Sequence, residues 1–511
     1  MKKKETVGRY PQAMSWDPTG RLTSQSLTTA ATGTLQSTGP ENPAAAEAQR
    51  VLHRGYTYRP DGHLTAIDDS HTGRRTFDLD RAGRVTAVHA TDWTETYAYD
   101  EAGNQTHATW PDRHPNPSAR GDRAYTGTNI TRAGRIRYEH DALGRVILRQ
   151  KTRLSRKPDT WRFSWNTEGR LTSVDTPDGT TWRYLYDPSG RRIAKQRVTS
   201  GESIAVEETD FTWDGPTLTE QTTRSEGAAK SITLTWDHQS LAPVSQTERK
   251  TSASDLPRAP QQLIDQRFYA IITDLVGTPT ELISDSGEVS WQMQATLWGT
   301  TTWNSGATAY TPLRFPGQYF DHETQLHYNF HRYYDATAAR YISTDPLGIT
   351  PNPNNYTYVD NPNKHADPLG LFECTPKGEA SNPFESRSEA EIAAHELAGV
   401  PHGTPPDAAW TVTGNKDLAH APGYLYSKDP THWGHFRQFE TEAGSRVVVE
   451  HTHDPAGLHF HAGMSKAIPT RNWVNFGWDN ERGEGIKRYK DSMERYAKIN
   501  KPGGDHHLFY K

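Results

Sequence analysis

The chain has 511 residues, a net charge of -5 at neutral pH and a hydrophobic fraction of only 33%. That length calls for more than one domain, the mild negative charge gives no overall pull towards nucleic acid or membrane, and no apolar run reaches the roughly 18 residues of a transmembrane helix. A single cysteine, Cys374, excludes an intramolecular disulfide framework and a multi-cysteine zinc site, and 15 Trp, 23 Tyr and 14 Phe must supply much of the buried area, which suits a thin sheet.

In chain order, Met1-Lys-Lys-Lys4 has the basic start of a signal peptide without the apolar segment. Export is therefore expected to need a dedicated apparatus or an upstream partner. Residues 1–50 hold a first repeat, Trp16-Asp-Pro-Thr-Gly-Arg-Leu22, and a Ser/Thr/Ala-rich stretch, Ser24 to Gln49, that reads as a flexible insertion. Residues 51–260 repeat one unit: an aromatic pair, an Asp or Asn, then Gly and a basic or polar residue. Tyr97-Ala-Tyr-Asp-Glu-Ala-Gly-Asn104, Tyr138-Glu-His-Asp-Ala-Leu-Gly-Arg145 and Tyr184-Leu-Tyr-Asp-Pro-Ser-Gly-Arg191 are examples. Their glycines, at 20, 62, 83, 103, 144, 169 and 190, are mostly spaced by about one or two times 21, the mark of a repeat architecture. Each unit reads as a hairpin, with alternating aromatics in the strands and a Gly tolerant of positive φ in the turn. No hairpin buries its face alone, so stacked units predict a long curved antiparallel sheet, with an ordinary β-sandwich as the alternative. Thr251 to Gln261 is a second break.

Residues 261–371 come next, and Arg340-Tyr-Ile-Ser-Thr-Asp-Pro-Leu-Gly348, Tyr356-Thr-Tyr-Val-Asp-Asn-Pro362 and Asp367-Pro-Leu-Gly-Leu371 close them. This series resembles the sequence that ends the core of Rhs/YD-repeat polymorphic toxins, and the resemblance covers roughly residues 10–371. It implies a partial Rhs shell ending in a self-cleaving core domain, in which Asp345 and Asp367 are a catalytic carboxylate pair, Arg340 supports them and the bond between Leu371 and Phe372 is cut. It further implies a variable toxic cargo, a secretion or delivery apparatus, a cognate immunity protein and action in the target-cell cytoplasm, without membrane insertion by this chain. Chemically, two neighbouring carboxyls do not both ionise easily, so one holds a proton while the other activates water.

The cargo, 372–511, holds 11 of the chain's 23 histidines and predicts a small α+β domain. Helices are expected over Glu385 to Ala398 and Glu484 to Asn500, the second with Ile486, Tyr489, Met493 and Tyr496 as a core stripe. Between them, Arg446-Val-Val-Val-Glu-His-Thr-His453 and Leu458-His-Phe-His-Ala462 predict a β-hairpin around Asp454-Pro-Ala-Gly457. A loop that includes Leu458 sets His453 opposite His459 and His451 opposite His461, all on one face; a loop one residue shorter puts the pairs on opposite faces. Two chemistries fit. In the first, no cofactor is needed: His459 or His461 and, from the last strand, His506 or His507 cleave RNA as general base and acid, with Lys466 and Lys501 on the phosphate. In the second, His451, His453, His459 and His461 hold a divalent transition metal for a nuclease or other hydrolase. A deaminase is disfavoured by the missing Cys-x-x-Cys. A non-catalytic adhesive repeat protein is the remaining alternative.

Overall fold

The structure, a computed structural model, describes residues 2–7, 10–17, 21–28, 50–153, 155–199, 205–227, 230–239, 241–252, 265–349, 352–371, 386–418, 421, 423–426, 428, 433–441, 444–452, 458–464, 478–479, 484–485, 497–498 and 508–510. It falls into two compact units, Met1–Cys374 and Thr375–Lys511.

The first unit is built on one 25-stranded sheet running from Lys2–Val7 to Thr301–Trp303, each strand antiparallel to the one before it. The repeat turn explains the connectivity. At Asp80 the backbone N–H donates to Arg84 O (2.9 Å) and Gly83 N–H donates back to Asp80 O (3.2 Å), with Gly83 at φ 82°. Asp80 Oδ1 accepts the Ala82 and Arg84 amides (both 2.9 Å), and Oδ2 accepts Arg84 Nε (2.7 Å). Asp141 with Arg145 and Asp187 with Arg191 make the same pairing. The residue before each turn acid sits at a register shift, as Leu79, Tyr99, His140 and Tyr186 do.

Units are then tied to their neighbours. Each turn arginine reaches the next turn, as in Arg84 Nη1 to Asp100 O (3.2 Å) and Arg145 Nη1 to Asn166 O (2.8 Å). The aromatic residue of the later unit reaches back, as in Tyr99 Oη to Val85 O (2.9 Å) and Tyr186 Oη to Leu171 O (2.7 Å). Side chains alternate as expected: in Thr181–Tyr186, Trp182 and Tyr184 are buried and Leu185 is exposed. The sheet curls until early and late strands meet through side chains, with Leu27 and Leu52 packed on Ala270, Ile272 and Ile283, and Arg54 paired with Glu281 (2.5 Å). Among the described residues its first and last strands do not pair.

Against the repeats lies a second sheet of four short strands, Tyr319–Asp321, Leu326–Asn329, Arg332–Asp335 and Arg340–Tyr341. It docks through buried charge. Asp321 takes both Arg192 (2.6 Å) and Lys195 (3.0 Å), Glu323 takes Lys195 (3.0 Å) and Tyr184 Oη (3.0 Å), and Asp335 takes Tyr138 Oη (3.0 Å). The Arg192 guanidinium lies over Tyr328 (4.3 Å) and Phe211 (4.8 Å). Strands Asp265–Thr273, Pro279–Ser284, Val289–Ala295 and Thr301–Trp303 continue the large sheet. One sequence expectation needs correction. Ser24 to Thr28 and Thr251 to Ser252 are strand residues, extended by pairing with neighbours that a local reading misses; the rest of those two breaks lies outside the described residues.

In the second unit a helix, Arg387–Ala398, packs on one face of a sheet ordered Tyr424–Tyr426, Ala408–Thr413, Gly434–Thr441, Gly444–His451, His459–Met464 and Ala497–Lys498, with Leu508–Phe509 also paired to His459–Met464. Ala390, Ala394 and Ala398 meet Phe439, Val448, Phe460 and Ala462 there. The helix expected over Glu484 to Asn500 is not borne out at its ends: Glu484–Gly485 pairs with Trp478–Asp479, and Ala497–Lys498 pairs with Met464 and Gly463. Strand pairing overrides the helical periodicity at both places; residues 486–496 lie outside the described residues.

The docking charges give the first prediction. Asp321→Asn leaves Arg192 and Lys195 buried with one carboxylate fewer, and the urea transition of the first unit is expected to lose about 3–5 kcal/mol. A loss under about 1 kcal/mol would show that the charge cluster does not hold the second sheet in place.

Candidate catalytic carboxylates and a histidine cluster

Asp345 lies beyond strand Arg340–Tyr341 and opens a turn of the repeat type: Gly348 N–H donates to Asp345 O (3.0 Å), Leu347 N–H donates to Asp345 Oδ1 (2.8 Å), and Gly348 has φ 73°. Asp367 does likewise, its Oδ1 accepting the Leu371 amide (3.0 Å). In the repeats the other carboxylate oxygen is taken by an arginine four residues on. Here that position is Ile349 or Leu371, so Oδ2 of each acid is left for a different partner.

The partner is Arg332. Its Nη2 lies 2.8 Å from Asp345 Oδ2 and 3.3 Å from Asp367 Oδ2, so one nitrogen brings the two acids together. The guanidinium sits 3.7 Å over the Tyr341 ring, and its Nε donates to Gly370 O (2.5 Å). Tyr341 Oη donates to Asp367 Oδ2 (2.7 Å), and Asn329 Nδ2 donates to Asp367 O (2.7 Å). Burial pushes both aspartic acids above the usual carboxylate range, against the opposing pull of Arg332 on each and of the Tyr341 bond on Asp367. A pair so placed can keep one proton between two carboxyls.

Arg340, expected to support the pair, does not. Its Nη2 donates to Thr128 O (2.5 Å) and its guanidinium lies over Tyr356 (4.6 Å), so it fastens the segment to the repeats. Arg332 was missed because it stands among aromatics in Tyr328-Asn-Phe-His-Arg-Tyr-Tyr334. The available signal was that a cation in a strand of buried residues must find an acid. Close packing locks the chain before the expected cut. His331 N–H donates to Leu369 O (3.1 Å), and a Cβ on Gly317, at φ 79°, would stand 1.8 Å from Pro368 O. Leu371 is described; Phe372 lies outside the described residues.

In the second unit Gly444–His451 and His459–Met464 form a hairpin in neither of the two registers weighed from the sequence, two residues from the one that set all four histidines on one face: His451 faces His459 and Val449 faces His461. An even shift keeps the face, so three rings converge. Their centroids are 5.1 Å apart for His451 and His459, and 4.7 Å for each other pair; all three rings are buried, and one nitrogen from each lies within 4.8 Å of the others. Val447, Val449, Phe436 and Trp410 continue the same face. On the opposite face Glu450 accepts Arg387 Nε and Nη2 (both 2.6 Å) and Tyr510 Oη (2.8 Å), pinning the strand to the helix. Phe509 pairs with His459. His453, Lys466, Lys501, His506 and His507 lie outside the described residues.

A sequence model of the Teneurin YD-shell family matches residues 80–206 and 249–363. Double-stranded DNA deaminase toxin A of Burkholderia cenocepacia is 32% identical over 384 residues, 72% of this chain and 25% of that protein. Probable deoxyribonuclease RhsB of Dickeya dadantii is 30% identical over 333 residues, 64% of this chain and 21% of that protein. The chain therefore spans a quarter or less of the length of these curated relatives. The Photorhabdus luminescens Tc holotoxin pore has a similar fold, with a TM-score of 0.52 at 19% identity over 72% of this chain and 18% of that one. With its hairpin repeats, curled open sheet and these relatives, the chain belongs to the Rhs/YD-repeat family of polymorphic toxins.

Proposed function

We propose that residues 1–371 are a carrier that cuts its own chain after Leu371 and frees residues 372–511 as a toxin acting on nucleic acid. The observation that carries the cut is the shared Arg332 nitrogen between Asp345 and Asp367, with Asp367 also holding the Leu371 amide. In the reaction the ionised carboxylate takes a proton from water as the water oxygen attacks the Leu371 carbonyl carbon. The protonated partner then gives its proton to the departing Phe372 nitrogen as the C–N bond breaks. Arg332 keeps one member charged despite burial, and through Gly370 O it fixes the peptide beside the pair.

For the cargo, the converging hairpin histidines support a nuclease centred on that face. The two relatives are named for chemistry on DNA, so DNA stands beside the RNA expected from the sequence. The toxin names also support a delivery apparatus and a cognate immunity protein that neutralises the cargo. Among the described residues no helix is long and apolar enough to cross a membrane.

Purified full-length protein is expected to separate into fragments of about 371 and 140 residues without added protease. Asp345→Asn and Asp367→Asn should each slow this by about 100-fold or more; folded variants that still cut at the wild-type rate exclude the pair.

The cut should also depend on pH. Since both carboxyls are raised, both stay protonated, and the pair idle, at a pH where ordinary carboxylates have ionised. The rate of fragment formation should climb with pH through a midpoint above that of an ordinary aspartic acid. Tyr341→Phe removes a bond that steadies ionised Asp367 and should move that midpoint higher. A rate that is flat across the carboxylate range would count against the mechanism.

Residues 372–511 made in bacterial cytoplasm should arrest growth and degrade DNA or RNA, visible on gels within the arrest. Good expression with intact nucleic acid would remove the nuclease reading.

A further inference from the structure

We infer that His451, His459 and His461 form a binding site for a divalent transition ion of the zinc type. Two of the three come from one strand at alternate positions, and the third stands directly across the hairpin. Sheet geometry therefore sets their spacing, which is a firmer frame than a loop gives. One nitrogen from each ring lies within 4.8 Å of the others, a separation that small side-chain rotations can close onto an ion with nitrogen bonds of about 2 Å.

Ring chemistry narrows the ion. Among the described residues all members of the cluster are imidazoles and no carboxylate belongs to it, so it offers nitrogen donors where magnesium and calcium require oxygens. Zinc, nickel and copper accept such a set. Three buried imidazoles side by side are also a poor choice as filler, because phenylalanine fills the same space without a polar nitrogen to satisfy. The surrounding Val447, Val449, Phe436 and Trp410 form the apolar wall that strengthens an ion's hold on its ligands. Behind the site, the Glu450 bonds to Arg387 and Tyr510 restrain the strand that presents His451.

Among the described residues three ligands are present; a site with those three alone keeps a fourth position for water, the arrangement of a catalytic rather than a structural zinc. The use of that water in hydrolysis rests on the nuclease reading; the ion site itself does not.

The test uses untagged full-length protein, stripped with EDTA and dialysed, then titrated with Zn²⁺ in a calorimeter and with Co²⁺ followed by visible absorption. One ion per chain is expected. His459→Ala and His461→Gln should each weaken binding by about 100-fold or more, while His435→Ala, on the other face of the sheet, should leave it unchanged. Circular dichroism identifies any variant that fails to fold, and the wild-type stoichiometry stands without the variants. Absence of a stoichiometric ion, or binding that survives both hairpin variants, overturns the site. Nucleolysis is assayed on the same samples. A bound ion without nucleolysis keeps the site and removes the nuclease reading, and nucleolysis without any bound ion does the reverse.

Discussion

A turn aspartate that closes its own loop with one oxygen and offers the other to an arginine is the interaction on which the carrier depends. Asp80, Asp141 and Asp187 each spend Oδ1 on local amides and Oδ2 on the arginine four residues later. That arginine is thereby aimed at the next turn, so a local cap becomes the link between units. Charge-assisted bonds of this kind are stronger than neutral ones and fix direction as well as distance. The candidate catalytic acids are the same turn with the arginine position occupied by Ile349 or Leu371. Removing a neighbour's claim on Oδ2 is enough to turn a structural cap into a pair of available carboxyls, and Arg332 arrives from another strand to hold them.

This also marks what could be read from the chain alone. Repeats and hairpins were legible because each rests on residues close in sequence, an aromatic alternation and an Asp-x-x-Gly turn, whereas Asp345 and Asp367 were singled out through the family resemblance carried by the duplicated Asp-Pro-Leu-Gly. Arg332 was not legible, since its role depends on contacts that span 13 and 35 positions and on a pattern that looks like strand filler. Arg340 drew attention by lying inside the recognisable stretch, yet its partners Thr128 and Tyr356 make it a fastener. In the second unit alternation within each strand was readable, but the register was not, and with it whether His451 shares a sheet face with His459 and His461, because a slip of one residue flips the face while a shift of two preserves it.

The two units solve burial differently. The first unit buries aromatic rings and ion pairs such as Arg192–Asp321 over a long sheet, while the second packs a small alanine-faced helix, Arg387–Ala398, on a short sheet. Small alanines let the helix approach Phe460 and Phe439 closely, and leave the opposite sheet face to the aromatic and histidine side chains. One strand thus serves both layers: Val448 and Glu450 face the helix, while Val449 and His451 face the cluster.

The docking of Asp321, Glu323 and Asp335 onto Arg192, Lys195 and Tyr138 has a kinetic meaning. The repeats close contacts about twenty residues apart, which a chain samples early and often. The docking contacts span 129, 128 and 197 positions and bear a larger loop-closure cost. Arg332 lies in the docked sheet itself, between Glu323 and Asp335, and Asp345 and Asp367 lie just beyond it. The acid pair therefore depends on contacts of long sequence separation and is not assembled by the local repeat hairpins alone. On the proposed cut, the chemistry then waits on docking of the second sheet, so repeats stacked without it lack the pair that the cut requires.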